Sequence, residues 1–347
     1  MLNHRISLLA LGILASTAAM AEDQSTAKGF VEDSHLDLFF RNAYMNRDYK
    51  HGRDDKAEWG QAATATFTSG FTQGTVGFGV DAFGMYALRL DGGQGKSGAA
   101  GIDFFKQGDS GEAANDLARA GGAVKARFSN TVIKYGDQMP ALPVLSYDNS
   151  RLLPESFTGT LITSKEIEGL ELNVGRFTSE TRKSAEGRDS GGLKRIDVFG
   201  GSYKFTDNFS GSLYGYESED VARKQYMNLN YVIPVADKQS LTLDFNGYRT
   251  RVNEDFAADH GYDGTKNTIW SLSAATTSAP TPSWSRTSAT TATPATSTAG
   301  TRTKVAWVMA APPSGWPTPT GRTSTARTSV PGRAATAWTS PSTAFPA

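Results

Sequence analysis

Apolar and polar residues alternate over long stretches of the chain between Ser34 and Ala275. The clearest case puts three apolar residues on one side of the chain: Leu241, Leu243 and Phe245. Similar alternation runs through residues 36–44, 76–81, 124–129 and 227–233. A period of two predicts β-strands with one apolar and one polar face. Counting alternating runs bounded by turn residues predicts about eleven strands in this region.

The connections between these runs are of two kinds, which broadly alternate along the chain. Short turns are expected at 206–208, 236–238 and 165–169, and long polar ones at 47–56, 91–118, 137–156, 179–192 and 251–266. Tight turns at one end and long loops at the other are typical of an outer-membrane β-barrel. The runs approach about ten residues, the length that crosses a bilayer at a tilt. A secreted β-sandwich is the alternative, although its strands are usually shorter.

The first 21 residues have the features of a secretory signal peptide. His4 and Arg5 give a positive start, an apolar run follows from Ile6 to Ala15, and Ala19-Met20-Ala21 is a small-x-small cleavage site. This order predicts export and a mature chain that begins at Glu22. A membrane anchor is the alternative, but the apolar run is too short to span a bilayer.

Charge and composition exclude several classes of function. All 35 acidic residues lie between Glu22 and Asp263, and residues 22–275 hold 28 Lys and Arg, a net charge of −7. An acidic body disfavours nucleic acid as a partner, because phosphate binding needs a basic face. The chain has no cysteine and four histidines. Disulfides, zinc–thiolate sites and thiol catalysis are therefore excluded, and we expect no metal site and no cofactor.

The residues give little support to enzymatic chemistry. A barrel hydrolase needs a placed nucleophile, and His35 with Asp37 on one strand face does not supply it. The acidic loop 251–266 lacks the ligand spacing of a calcium loop and is interpreted as solvated surface. We therefore expect the protein not to be an enzyme.

Seven segments carry a resemblance more specific than alternation: Gly29–Ser34, Arg41–Asp48, Ser69–Gly84, Arg119–Lys125, Ser150–Pro154, Glu168–Glu171 and Asn267–Leu272. Together they closely resemble the OprD family of outer-membrane porins, over about Gly29 to Ala275. The resemblance implies an all-β fold, a transmembrane antiparallel barrel of eighteen strands. It also implies a substrate-preferring channel for the passive uptake of small solutes, typically carboxylates or basic amino acids.

The same resemblance implies the surroundings and partners of the protein. It places the chain in the outer membrane of a Gram-negative bacterium, in contact with outer-membrane lipid and lipopolysaccharide. Barrel-assembly machinery and periplasmic chaperones would be its protein partners, and small-molecule solutes its cargo. The state of assembly stays open between monomer and trimer.

The family also suggests candidate residues along the solute path. Its third external loop folds inward and narrows the pore, and Gln138–Pro154 matches that loop here. The constriction candidates are Pro140, Pro143, Tyr147, Asp148, Asn149, Ser150 and Arg151. A basic ladder on the family's lumen wall would include Arg47 and Lys56 by motif, and Arg119, Lys125 and Arg127 by their place on one strand. The alternatives are an ordinary external loop and charges that only solvate the lumen wall.

The last 72 residues have a different composition. Thr, Ala, Ser and Pro make up 53 of residues 276–347, and no acidic residue occurs after Asp263. Read across codon boundaries, Thr codons become Tyr, His, Asn or Asp codons, and Ser codons become Phe, Leu, Ile or Val codons. Those are residues of porin strands, so we interpret 276–347 as out-of-frame translation and expect it to be disordered. A low-complexity linker or a mucin-like stalk is the alternative.

A frameshift would have a direct structural consequence. About eleven strands cannot close an eighteen-stranded barrel, and an open sheet edge is not tolerated in lipid. We therefore expect an incomplete porin barrel over 22–275 that does not conduct as written. Two other interpretations remain: a surface β-rich adhesin with a Thr/Pro/Ser-rich stalk, and an outer-membrane barrel hydrolase.

Overall fold

The computed structural model describes residues 23–49, 55–91, 102–108, 112–236, 239–262 and 264–278, together with the backbone of a strand at 302–310. The signal peptide expected at 1–21 lies outside the described residues, as does most of the tail. The strands in the described part are β1 His35–Arg47, β2 Lys56–Thr68, β3 Val76–Asp91, β4 Asp116–Phe128, β5 Thr131–Gln138, β6 Ser156–Ser164, β7 Leu170–Thr181, β8 Ile196–Thr206, β9 Phe209–Ser218, β10 Ala222–Ala236, β11 Gln239–Val252, β12 Lys266–Ser278 and β13 Arg302–Ala310.

All of these strands form one antiparallel sheet in which each strand pairs with its sequence neighbours, from β1 to β13. A short 3-10 helix, Gln24–Thr26, precedes the sheet, and helix α1, Glu254–Asp259, lies between β11 and β12. Neither of these described helices is long and apolar enough to cross a membrane. The sequence pattern therefore predicted the fold class correctly, and its estimate of about eleven strands is close to the twelve found between His35 and Ser278.

Two details differ from the sequence-based expectation at the C-terminal end. β12 continues to Ser278, past the boundary expected at Ala275. β13 lies within the segment expected to be disordered, and its backbone pairs with β12 from Ile269↔Ala310 to Thr277↔Arg302. The expectation of disorder therefore does not describe 302–310. This nine-residue segment, RTKVAWVMA, holds no proline, unlike the residues on either side, and it includes Val305, Trp307 and Val308, which favours a strand.

The two faces of the sheet have the opposite polarity to those of a water-soluble protein. On the outward face, large apolar side chains are exposed, with Leu36 at 60% and Phe40 at 67% of their possible surface. On the inward face, charged side chains such as Lys125 and Arg127 are buried. An apolar outside and a polar inside suit strands whose outer face meets lipid.

The concave side of the sheet is partly filled by two chain segments. Phe104 and Phe105, between β3 and β4, are fully buried against the inward faces of β2–β4, and the backbone N–H of Phe104 donates to Glu58 Oε2 at 3.0 Å. The second segment is residues 139–155 between β5 and β6, here called the inner loop. The interpretation of 91–118 as a polar external connection is therefore wrong for 102–105, because two adjacent phenylalanines bury themselves inside.

Candidate functional site

The inner loop is anchored to two different parts of the sheet by apolar packing. Val144 and Leu145 pack into a cluster on the inward faces of β6–β9, which includes Phe177 and Tyr214. Leu152 and Leu153, near the other end of the loop, pack with Phe104 and Phe105 over β2–β4. The two anchors hold the loop across the concave side of the sheet.

Backbone hydrogen bonds make the inner loop a compact unit. The N–H of Tyr147 donates to the carbonyl of Pro140 at 2.9 Å, and Leu142 and Leu145 exchange two backbone hydrogen bonds. A tight turn follows, in which the N–H of Ser150 donates to Asp148 Oδ1 at 2.7 Å. All seven constriction candidates thus belong to this one hydrogen-bonded element.

Arg41 of β1 holds the far side of the inner loop. One guanidinium nitrogen, Nη1, donates to the carbonyls of Asn149, at 3.1 Å, and Arg151; the other, Nη2, donates to Asn149 Oδ1 at 2.9 Å. Arg151 in turn donates through Nε to the carbonyl of Ile102 at 2.8 Å. The forked geometry of arginine suits this arrangement, since lysine could not span three acceptors in one plane.

The opposite side of the loop reaches β11. The hydroxyl of Tyr248 donates to the carbonyl of Pro143 at 3.2 Å. Five strands, β6 to β10, separate β5 from β11 in the sheet order. A loop that follows β5 can touch β11 only because the sheet curls around it.

Tyr248 is the last of three tyrosines in register on the inward face. Tyr214 of β9 pairs with Tyr226 of β10, which pairs with Tyr248. The ring centroids are 6.5 and 4.6 Å apart along this row. Beside the row, the Tyr226 hydroxyl donates to Asn246 Oδ1 at 2.6 Å, and Asn246 also bonds Asp244. This tyrosine row and the inner loop face each other on the concave side, where the aromatic rings lie beside an amide and a carboxylate.

A charge cluster lies behind the inner loop. Lys183, 8% exposed, places its Nζ 2.6 Å from Asp148 Oδ2 and 3.8 Å from both Asp103 Oδ2 and Glu155 Oε1. Burial raises the pKa of Glu155. Burial acts on Asp148 in the same direction, but hydrogen bonds from Lys183 and Ser150 outweigh it and lower the Asp148 pKa.

Three ladder candidates are buried in β4 with partners already in place. Arg119 donates to the carbonyls of Pro154, Arg182 (2.7 Å) and Ala185 (3.2 Å), so it secures the end of the inner loop and the loop after β7. Lys125 Nζ lies 2.6 Å from Asp81 Oδ1 and 2.8 Å from the carbonyl of Ser69.

Arg127, the third of these, contacts the N-terminal segment. Its Nε donates to Gln24 Oε1 at 2.9 Å, and its guanidinium lies 4.3 Å from the ring centroid of Phe71. Eight residues separate Arg119 from Arg127, about 26 Å of strand. The three side chains therefore lie along most of one strand, and each is bound to neighbouring protein groups.

Arg47 and Lys56 lie apart from these three. They are paired in register at the ends of β1 and β2, where Arg47 is exposed. Lys56 Nζ lies 5.8 Å from the ring centroid of Tyr49. The structure does not join them to the residues of β4 in one site.

Sequence reasoning missed the side chains that hold the inner loop: Arg41, Lys183 and Tyr248. A usable signal existed for two of them, since Arg41 and Tyr248 lie on the inward faces of their strands by alternation. His35 Nε2 and Asp37 Oδ2 are 3.8 Å apart on the exposed start of β1, and no group of three His, Cys, Asp or Glu in the described ranges could hold a metal.

Comparison with known proteins gives a consistent result. A family model described as outer membrane porin, OprD family, matches residues 28–282. Porin D of Pseudomonas aeruginosa is 46% identical over 286 residues, which cover 78% of this chain and 63% of that protein. The porin-like protein GalP of Pseudomonas putida is 35% identical over 239 residues, covering 65% of this chain and 57% of GalP. The chain thus spans about three-fifths of the length of these relatives.

Solved structures show the same likeness in three dimensions. The crystal structure of OccAB1 from Acinetobacter baumannii has a TM-score of 0.65 and 38% identity, covering 74% of this chain and 65% of that one. The structure of Pseudomonas aeruginosa OpdK with vanillate has a TM-score of 0.61 and 30% identity, covering 72% of this chain and 64% of that one.

Proposed function

Because the chain belongs to the OprD family of outer membrane porins, we propose that the complete protein is a passive channel for small polar solutes. The contact of the Tyr248 hydroxyl with the Pro143 carbonyl carries this proposal, because it takes the inner loop across the concave side. A pore narrowed in this way selects solutes by size and by the groups that line its narrowest part. The curated relatives are named as porins, and a porin is a passive channel rather than an enzyme.

Carboxylates or amino acids are the solute class that we propose. The tyrosine row offers ring faces and hydroxyls, and Asp244 with its neighbouring asparagines offers hydrogen bonds. OpdK, at 30% identity, is a relative solved with vanillate, a small aromatic carboxylate. Basic residues along β4 would bias such a channel toward anions through their field, even where each is bound to protein groups.

We further propose that residues 1–21 direct export and that residues 276–347 are translated out of frame. The family match ends at 282, close to the point where the composition changes. On this proposal the chain as written does not form a conducting barrel, because the lipid-facing edge of its sheet would remain open.

Planar-bilayer recording of two proteins tests these proposals. One is the 347-residue chain as written, and the other has the reading frame restored after Ala275. We expect conductance steps from the restored protein alone, and larger steps when its residues 141–150 are replaced by a Gly-Ser linker. A restored protein without steps would overturn the channel, and steps from the chain as written would overturn the frameshift consequence.

A further inference from the structure

A basic patch lies on the outward face of the sheet, which elsewhere is apolar. Arg223 of β10, Arg251 of β11 and Lys266 of β12 are paired in one row. Arg249 lies one row deeper, about 7 Å along β11. All four side chains are exposed. Met227 lies further along β10 towards the middle of the strand, on the same face as Arg223. The patch therefore belongs to the lipid-facing wall rather than to the lumen.

Among the described residues, one ion pair engages this patch. Arg223 is paired with Glu217 at 2.7 Å. Within the described ranges of the chain, no hydrogen bond or ion pair engages the side chain of Arg249, Arg251 or Lys266. Like charges directly opposite one another on paired strands are destabilising, and Arg251 faces Lys266. An anionic partner from outside the protein would remove that repulsion.

An apolar hollow of about 650 Å³ opens on the same outward face directly below the patch. Its outward side chains are Phe199, Leu213, Met227, Phe245 and Trp270, with Arg249 at its upper rim. Phe199 is 62% and Leu213 65% exposed, so the hollow is open to the surroundings of the sheet. Gly247 lines the hollow and carries no side chain, and a Cβ there would meet only the Phe245 ring, at 3.5 Å.

The position of the patch fixes which membrane leaflet it meets. Arg251 and Lys266 flank the connection 253–265, and the long connections 139–155 and 182–195 leave the sheet at the same end. In outer-membrane barrels the long loops are external. Arg249, Arg251 and Lys266 therefore lie at the level of the outer-leaflet headgroups, and the hollow lies at the level of the acyl chains.

We propose that this face binds lipopolysaccharide, the phosphorylated glycolipid of the outer leaflet. Arg249, Arg251 and Lys266 contact its phosphates, and the hollow around Gly247 receives an acyl chain. The basic residues and the hollow thus follow one another along the strands in the same order as the phosphates and the acyl chains of this lipid. This proposal rests on the outer-membrane location of the protein but not on its conduction of solutes. A failed test of the channel would therefore not overturn the lipid site.

The test measures binding of purified lipopolysaccharide to the folded 347-residue chain in a zwitterionic detergent. Arg249→Gln, Arg251→Gln and Lys266→Gln are combined in one variant. A matched control combines Arg176→Gln, Lys194→Gln and Arg195→Gln, which remove the same charge from exposed residues already paired with Asp197, Asp220 and Glu219. Each juxtamembrane cation contributes to anionic-lipid binding, so we expect about 10- to 100-fold weaker binding by the first variant and under threefold by the control.

Three further arms separate the parts of the proposal. Dephosphorylated lipopolysaccharide should bind as weakly as the triple variant, inorganic phosphate should not compete at millimolar concentration, and Gly247→Leu should weaken binding by filling the hollow. Far-UV circular dichroism confirms equal strand content; if the written chain does not fold, the same variants are made in the frame-restored protein. Equal losses in both triple variants, or unchanged binding after dephosphorylation, would overturn the site.

Discussion

The hydroxyl of Tyr248 on β11 donates to the carbonyl of Pro143 in the inner loop, 105 residues earlier in the chain. This bond joins a loop that leaves β5 to a strand six places further along the sheet. With Arg41 of β1 on the other side, the loop is held at both walls of the concave side. Its position thus depends on polar contacts that can be removed one at a time.

Tyr248→Phe removes only the hydroxyl and keeps the ring in the tyrosine row. One neutral hydrogen bond is worth about 0.5–1.5 kcal/mol, and this one is exposed, so we expect the lower half of that range. Hydrogen exchange of the amide of Tyr147 in the frame-restored protein should then accelerate about two- to fivefold. Tyr203→Phe, on the outward face, is the control and should leave that exchange unchanged. Equal exchange in both variants would contradict a tethering role for Tyr248.

Arg41→Gln should release the loop from β1. Its guanidinium makes three charge-assisted hydrogen bonds to Asn149 and Arg151, and bonds of this kind contribute about 1.5–3 kcal/mol. Because Arg41 is half-buried, we expect a cost near the lower value. Trypsin should cleave after Arg151 about tenfold faster than in the parent. Arg176→Gln, an exposed outward arginine, serves as the control, and faster cleavage in that variant as well would point to general destabilisation.

Alternation predicted the faces of these strands well and their partners hardly at all. It placed Leu36 and Phe40 outward and Lys125 and Arg127 inward, because side-chain direction in a strand depends only on parity. The partner of Lys125 is Asp81, 44 residues away, and that pairing depends on the register of β3 with β4. Arg41 meets a loop 108 residues away, which depends on the path of that loop. Contacts between residues this far apart in the chain produce no local sequence pattern from which they could be predicted.

Two neighbouring carboxylates of the inner loop should respond to pH in opposite directions. The pKa of Asp148 is lowered in the folded protein, so its contribution to stability is present above its ordinary pKa near 3.9 and is lost as the pH falls through the lower folded value. Burial raises the pKa of Glu155, so its contribution is present below about pH 4.3 and is lost as the pH rises through the higher folded value.

Asp148→Asn should therefore destabilise the loop at pH 7, whereas Glu155→Gln should be neutral or stabilising there. The glutamine oxygen can still accept from the N–H of Asp148, which now donates to Glu155 Oε2 at 3.0 Å. Hydrogen exchange of the loop amides between pH 3 and 7 measures both effects. Destabilisation of similar size by both substitutions at pH 7 would contradict the opposite assignments.

Asp81→Asn tests whether Lys125 has a structural role or guides solutes. The Lys125 side chain is 1% exposed, and Asp81 binds it together with Lys134. Removing one partner of a buried pair costs about 3–5 kcal/mol, because the remaining charge is left uncompensated; with Asp81 at 16% exposure we expect about 3. The urea midpoint of the refolded protein should fall accordingly.

Lys134→Gln, which removes the more exposed cation, should cost about 1 kcal/mol or less. Adding Lys125→Met to Asp81→Asn should recover most of the loss, since removing both partners is often nearly neutral. If Lys125→Met alone leaves the urea midpoint unchanged but abolishes anion preference in bilayer recordings, Lys125 belongs to the solute path and its pair with Asp81 is secondary.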